Sequence, residues 1–362
     1  MKKILIYLVI LILVVFTIPI VFTKSFNEKK EVSNNENFEQ QNKIQDNNQS
    51  NINNNTEEMQ NTQDNSNQEN VDEVSAYDYK KYNTVKLLHA KTNAVEELAL
   101  DEYLYGVVAA EMPAKFEKEA LKAQSIVART YTVYKIIQNS GKHEGADICD
   151  DPSCCQAWIS KEDRLNKWSE SERESNWGKI VNSVEETKGK IITYEGQPIN
   201  AFFHSNSGGT TELPVNVWGG TNYPYLQAVE TSGEDGYTQY YSEVTLSKDE
   251  LIQKMISKYS DFNINFDDSE SIKILEHTDG ARVKTIKIGN KNLSGVEVRS
   301  ILGLKSANFD IKRENDKIIF SVIGYGHGVG MSQTGADSLA KQGKNFEEII
   351  KHFYTGVEIT DL

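Results

Sequence analysis

An imidazole and all three cysteines of the chain, His143, Cys149, Cys154 and Cys155, fall within a single short stretch. Thiolates and a neutral imidazole suit zinc, and four protein ligands would close its coordination sphere, as structural sites do. The alternative is a disulfide between Cys149 and Cys154 or Cys155, which an oxidising exterior would favour. Adjacent Cys154 and Cys155 are awkward as co-ligands, so the question bears most on the fourth position.

Glu111 offers a different chemistry. A carboxylic acid can protonate a glycosidic oxygen when burial raises its pKa towards neutrality. Val107, Val108, Ala109, Ala110, Met112 and Phe116 supply apolar surroundings. Pro113 disfavours the α conformation at Met112, which puts Glu111 at a helix C-terminus, a poor place for a negative charge. The plain alternative is an ordinary helix-terminal glutamate.

Two further polar clusters follow strand-like runs. His204-Ser205-Asn206-Ser207-Gly208-Gly209-Thr210-Thr211-Glu212 combines hydroxyls, an imidazole and a carboxylate of the kind that bind sugar hydroxyls and acetamido groups; a polar turn is the alternative. Gly324-Tyr325-Gly326-His327-Gly328-Val329-Gly330 has no lysine or ribose-binding acid that would make it a phosphate loop. Its glycines suit close approach of backbone to a ligand or a strand.

The elements that must position these groups read as α+β. Residues 84–91 and 94–100 form two strands around a Thr92-Asn93 turn, and Asp101 is placed to cap the helix that ends at Glu111. Residues 117–138 form the clearest helix, with Ala120, Ala123, Val127, Tyr131 and Tyr134 at i+3 and i+4 spacing. A hairpin turns at Glu195-Gly196, with a strand over 199–204. Residues 246–321 carry their own helix (248–259) and strands (283–288, 317–322), which suggests an inserted subdomain. Helices from Ser332 and over 346–354 close the chain.

The N-terminal end is built differently. Residues 4–23 are apolar enough, at about 1.5 Å per residue, to span a bilayer core of about 30 Å, and Lys2 and Lys3 would keep the N-terminus cytoplasmic. A cleaved signal is the alternative, but no small-x-small site follows. Residues 24–76, rich in Asn, Gln, Glu and Asp, cannot offset ordering entropy and should form a tether with a reach of about 40 Å. The stretch from Lys24 to Lys80 holds five lysines against twelve acids, half of the chain's net charge of −14. The folded part, residues 77–362, is then only mildly acidic, and no basic patch points to nucleic acid.

Ala109-Ala110-Glu111-Met112-Pro113-Ala114, the segment 119–131, Cys155-Gln156-Ala157-Trp158, Phe203-His204-Ser205-Asn206-Ser207-Gly208-Gly209 and Tyr325-Gly326-His327-Gly328-Val329-Gly330-Met331-Ser332-Gln333 together resemble the stage II sporulation protein D family, which includes amidase enhancers. The resemblance runs in order over nearly the whole folded part. It implies a lytic transglycosylase that cuts peptide-stripped peptidoglycan between N-acetylmuramic acid and N-acetylglucosamine, leaving 1,6-anhydro ends, with Glu111 as the acid. It implies glycan-binding roles for Gln124, Arg129, His204, Ser205, Tyr325, His327 and Gln333, the two histidines giving position and charge stabilisation. It implies zinc at His143, Cys149 and Cys155; Cys154 stands where relatives can carry a histidine. It further implies a single-pass membrane protein facing the cell wall during engulfment, with stage II sporulation proteins P and M as partners. A non-catalytic amidase enhancer and a zinc amidase or peptidase are the alternatives. Glu212 is the candidate for a second carboxylate.

Overall fold

The structure, a computed structural model, describes residues 82–220 and 222–362. The expected membrane anchor and most of the expected tether lie outside them. Among the described residues no helix is long and apolar enough to cross a membrane.

The architecture is α+β. Strands β1 (Thr84–His89) and β2 (Ala94–Ala99) pair antiparallel around Asn93, and helix α1 (Leu100–Glu111) follows directly. Helix α2 (Lys118–Gln138) is separated from α1 by a short connection that begins at the extended Met112. It is buried on nearly every side from Ala120 to Tyr134, as expected of a helix at the centre of a domain. Strand β3 (Ile148–Cys149) joins β1 in parallel, followed by α3 (Lys161–Asn166) and α4 (Arg173–Glu185). Strands β4 (Lys190–Tyr194) and β5 (Gln197–Pro198) turn at Glu195-Gly196, both at positive φ. The expected strand over 199–204 shrinks to β6 (Phe203–His204), because Phe202 turns back to donate to the Asn200 carbonyl. Helix α5 (Pro214–Trp218) comes next.

A second hydrophobic core is drawn from residues between Leu246 and Val322. Around it lie β7 (Tyr241–Ser247), α6 (Lys248–Lys258), β8 (Ile272–His277), β9 (Val283–Ile288), β10 (Lys291–Leu293), α7 (Gly295–Leu302), β11 (Phe309–Glu314) and β12 (Lys317–Ile323). They make two antiparallel sheets, in the orders β11-β12-β7 and β10-β9-β8. The chain then returns to the first core through β13 (Met331–Ser332), α8 (Gln333–Lys341), α9 (Phe346–Phe353) and β14 (Glu358–Asp361). Helices α8 and α9 pack on α2, and Asp337 of α8 accepts the Glu117 N–H at 2.6 Å.

Three sequence expectations, for Asp101, Arg129 and Gln124, are corrected by the fold. Asp101 does not cap α1. The N-cap is Ala99, and the Asp101 carboxylate faces inward to meet Arg129 at 3.4 Å and Lys188 at 3.1 Å. Arg129 is fully buried, and its guanidinium donates to the carbonyls of Val184, Thr187 and Lys190 at the C-terminal end of α4. That end carries partial negative charge, so the cation is well placed there and presents nothing to a glycan. Gln124 is likewise fully enclosed within α2, so neither residue forms part of an accessible surface. Removing one partner of a buried ion pair leaves the other charge uncompensated, at about 3–5 kcal/mol. Arg129→Met should therefore lower the urea midpoint by that equivalent while ligand binding per folded molecule is retained. Weak glycan binding by a variant of unchanged stability would restore the binding role.

Candidate active site

Glu111 ends α1 with its carboxyl half-buried beside Val107, Val108 and Met112. The Ala157 N–H donates to Oε1 at 2.6 Å, and the Gln333 side-chain amide donates to Oε2 at 3.2 Å. Burial raises the carboxyl above its ordinary value, and these two hydrogen bonds oppose the rise without cancelling it. Sequence reasoning named both burial among apolar neighbours and the helix end; burial is the largest cause. Gln333, read as a glycan ligand, instead holds the acid.

Ala157 is delivered by a braced loop. Gln156 is buried and donates to the Tyr103 hydroxyl and the Thr132 hydroxyl, both at 2.9 Å, which pins the loop to α1 and α2. Trp158 lies against Gly106, where an added Cβ would fall 2.2 Å from the indole nitrogen. Beyond it, Glu102, Tyr105, Trp158, Lys161 and Trp177 line a cleft of about 310 Å³ along α1. No sequence reading found that cleft, since its aromatics come from three separate segments.

Upstream of Gln156 the structure gathers His143, Cys149, Cys154 and Cys155, with one donor atom of each within 4.8 Å of all the others. Ligands on tetrahedral zinc should stand about 3.8 Å apart for two sulfurs and about 3.5 Å for sulfur and nitrogen, given Zn–S near 2.3 Å and Zn–N near 2.0 Å. The Cys154 and Cys155 sulfurs are 3.8 Å apart, and His143 Nε2 lies 3.6 Å and 3.4 Å from them. The adjacent cysteines are thus compatible with one tetrahedron. No disulfide joins the three cysteines in this structure, where the Cys154 and Cys155 sulfurs stand well beyond bonding distance. Hydrogen bonding with Cys154 and Cys155 pushes the Cys149 thiol up, while hydrogen bonding with Cys149 and Cys155 holds the Cys154 thiol down. The donors fit zinc.

The other wall is built from β6 and the Gly-rich loop. Strand β6 pairs with β13 in parallel, which sets His204 beside Ser332 and leads directly into Gln333. Asn206 and Tyr325 exchange backbone hydrogen bonds, and His204 Nδ1 donates to the Val329 carbonyl at 3.1 Å. Gly330 must be glycine, because a Cβ there would sit 2.0 Å from the Phe202 carbonyl. The His204 and His327 rings meet tilted with centres 5.6 Å apart, and Trp218 lies 5.1 Å from His327. Burial, with Arg282 and Arg299 nearby, lowers His204 to about 3 and His327 well below its usual value. Both imidazoles are neutral near pH 7. They can position a ligand but do not supply the charge expected of them. Ser205 is half-buried and Tyr325 is exposed on the same segment pair.

Glu212 is not a second catalytic carboxylate. Its Oε1 accepts from Leu213 N at 2.7 Å and Asn216 Nδ2 at 2.8 Å, and Oε2 accepts from Thr278. The carboxylate that sequence reasoning missed is Glu234. It is buried and accepts from the Ser207 N–H at 3.1 Å, the Gly209 N–H at 3.2 Å and the hydroxyls of Thr231, Thr334, Ser207 and Ser332.

With this geometry in view, comparison with known proteins is informative. Residues 89–194 match the SpoIID family model, described as stage II sporulation protein. The chain is 38% identical over 280 residues, 77% of its length and 79% of the relative's, to stage II sporulation protein D of Bacillus subtilis (strain 168). The chain belongs to the stage II sporulation protein D family. The same identity and coverage hold for stage II sporulation protein D of Bacillus amyloliquefaciens. An amidase enhancer of Bacillus subtilis is 30% identical over 310 residues, covering 71% of this chain and 40% of that one. Within this stage II sporulation protein D family chain, the matched span contains Glu111 and the thiol cluster; the two histidine loops lie beyond it.

Burial raises Glu234, but its hydrogen bonds outweigh that and hold its carboxyl below the ordinary 4.5. A depressed carboxyl lends stability that is fully present above the unfolded value and is lost as pH falls through the folded one. Glu234→Ala should leave several buried donors unpaired, at about 1–3 kcal/mol each, and flatten the acid limb of the stability curve below about pH 4.5. Chemical denaturation from pH 3 to 7 checks both, and an unchanged acid limb would remove Glu234 from its organising role.

Proposed function

We propose that this protein is a membrane-anchored lytic transglycosylase acting on peptide-stripped peptidoglycan at the cell envelope of a sporulating cell. The observation that carries the reading is the half-buried Glu111 carboxyl, raised by burial and held by two hydrogen-bond donors. Such an acid remains protonated at higher pH than a free glutamate, as a general acid requires. It gives its proton to the oxygen leaving muramyl C1 as the C1–O bond breaks. The 6-hydroxyl of the same sugar closes on C1, and its proton returns to the Glu111 carboxylate. One carboxyl group completes the cycle, and no added water is consumed. Hydrolysis would usually recruit a second carboxylate, and Glu212 is committed elsewhere.

Tyr105, Trp158 and Trp177 give apolar plates on which sugar rings can pack along α1. Tyr325 offers another, while His204 and His327 present neutral imidazoles suited to sugar hydroxyls. Ser205 follows His204, and its carbonyl accepts the Thr334 N–H beside Gln333. The stalk and anchor would set the working distance from the membrane, and stage II sporulation proteins P and M are the partners proposed.

His143, Cys149, Cys154 and Cys155 would hold zinc as a structural ion. Its bonds to the thiolates and imidazole would fix the loop that carries Ala157 to Glu111. With four protein donors, no position is left for the water that a zinc amidase needs.

Glu111→Gln keeps the shape of the side chain and removes the proton, so formation of anhydro-muramyl ends should fall by about 10²–10⁴-fold. The wild-type rate should decline as pH rises through the raised Glu111 pKa, because the protonated form is the active one. Mass spectrometry of glycan strands measures both. Strand binding without anhydro ends in the wild type would favour the enhancer reading instead.

Protein purified without chelator should contain one zinc per chain, and Cys149→Ser should lose it together with thermal stability. Elemental analysis with melting curves decides. Metal-free protein bearing a Cys149 disulfide would reject the zinc.

A further inference from the structure

Arg299 lies on α7, in the second core, yet its side chain faces the active-site wall. It lines a narrow cleft with Gly326, His327, Arg282 and Glu212. The two arginines differ in what they do there. Arg282 is committed, donating to the carbonyls of Ser207 and Gly280 at 2.6 Å and to that of Thr210. Glu212 is committed to Leu213, Asn216 and Thr278. No hydrogen bond or ion pair from the Arg299 guanidinium to another described residue is found. A guanidinium held in a desolvated cleft whose one carboxylate is committed to other donors is costly. Its five donors in a planar fork match an incoming carboxylate.

The cleft shares His327 with the histidine wall of the site. The charge of Arg299 is felt by both His204 and His327, and His204 lies beside the strand that leads into Gln333 and Glu111. Tyr325, the neighbour of Gly326 in the chain, is exposed, with Lys305 Nζ at 5.1 Å from its ring centre. An aromatic plate beside a cation suits a sugar that carries an acid.

We propose that Arg299 binds the lactyl carboxylate of a muramyl residue from which the stem peptide has been removed. In an intact strand the lactyl carbonyl is tied up in an amide and has no charge. Peptide removal exposes a carboxylate three bonds from the sugar ring. A cation in the groove therefore distinguishes stripped from unstripped strands by charge, without having to measure the size of the peptide. This inference rests on the transglycosylase reading and names the group that selects its substrate.

The test is binding, measured by calorimetry in the cleavage-silent Glu111→Gln protein. Ligands are stripped glycan strands, the same strands with their lactyl carboxylates converted to methyl amides, and chito-oligosaccharides of equal length. Losing one charge-assisted pair should weaken binding by about 10–100-fold. Methyl amidation should have that effect, and so should Arg299→Gln tested on stripped strands. Binding of chito-oligosaccharides should change less than twofold in Arg299→Gln, and Arg299→Lys should recover part of the loss. Equal affinity for carboxylate and amide strands overturns the proposal, and needs no variant at Arg299. So does a loss in Arg299→Gln that is the same for chito-oligosaccharides. Product analysis on wild-type protein is separate: absent anhydro ends would reject the transglycosylase reading, whatever Arg299 binds.

Discussion

A carboxylate sealed from water is expensive, and Glu234 is 1% exposed with no cationic side chain among its hydrogen-bond donors. Hydroxyls and backbone N–H groups meet it instead, from three separate pieces of chain. Ser207 and Gly209 belong to the loop after β6, Thr231 to the turn before Glu234 itself, and Ser332 and Thr334 to the start of α8. The N-terminus of α8 adds the partial positive charge of its free N–H groups. Such a site is stable only when all the donors are present together, so the loop and the helix start are fixed relative to each other. Gln333 lies between Ser332 and Thr334, and its reach to Glu111 follows from that fixing.

The opposite side of Glu111 is held by different means. The Gln156 amide locks the loop to α1 and α2, and the thiol cluster closes the same loop immediately upstream. Cys149 is tied to the first sheet through β3, so the cluster is anchored to the core at one end and to the catalytic loop at the other. Glu111 is thus caught between two rigid walls, each contributing one donor. The pKa is set by the same contacts. Burial alone would make the acid too weak to give up its proton readily. The two hydrogen bonds restrain the rise, and general acid–base catalysis works best with a pKa near the working pH.

Local signals were legible in the sequence and long-range ones were not. The α2 helix, the Glu195-Gly196 hairpin and the turn at Pro113 are each written in a few neighbouring residues, and they stand where periodicity and turn chemistry put them. The four members of the thiol cluster are close in sequence, so their meeting in space was readable too. Asp101 was misread as a cap because its partner Arg129 is a helix away. Arg129 was misread as a ligand because it sits in a motif beside the acid, while its carbonyl partners begin 55 residues later. Glu234 could have been suspected only from an acid within a Thr231-Ser232-Gly233 turn, and such turns are common on surfaces. Fold-wide pairing of hydroxyls with one carboxylate leaves no periodic trace.

The division of charge across the groove follows from these constraints. The acid end must be apolar, or Glu111 would ionise; the histidine wall is neutral because it is buried and lies near two arginines. Positive charge is therefore excluded from the centre of the site and displaced to its margin, where Arg299, Arg282 and Lys305 stand around the Gly-rich loop. Had an unpaired cation stood next to Glu111, it would have lowered that carboxyl and removed its proton at neutral pH. Separation keeps the cationic side chains from opposing the rise that burial gives the Glu111 carboxyl. The glycines of residues 324–330 make the separation short, since they allow the loop to lie against β6 with almost no side-chain bulk between the two functions.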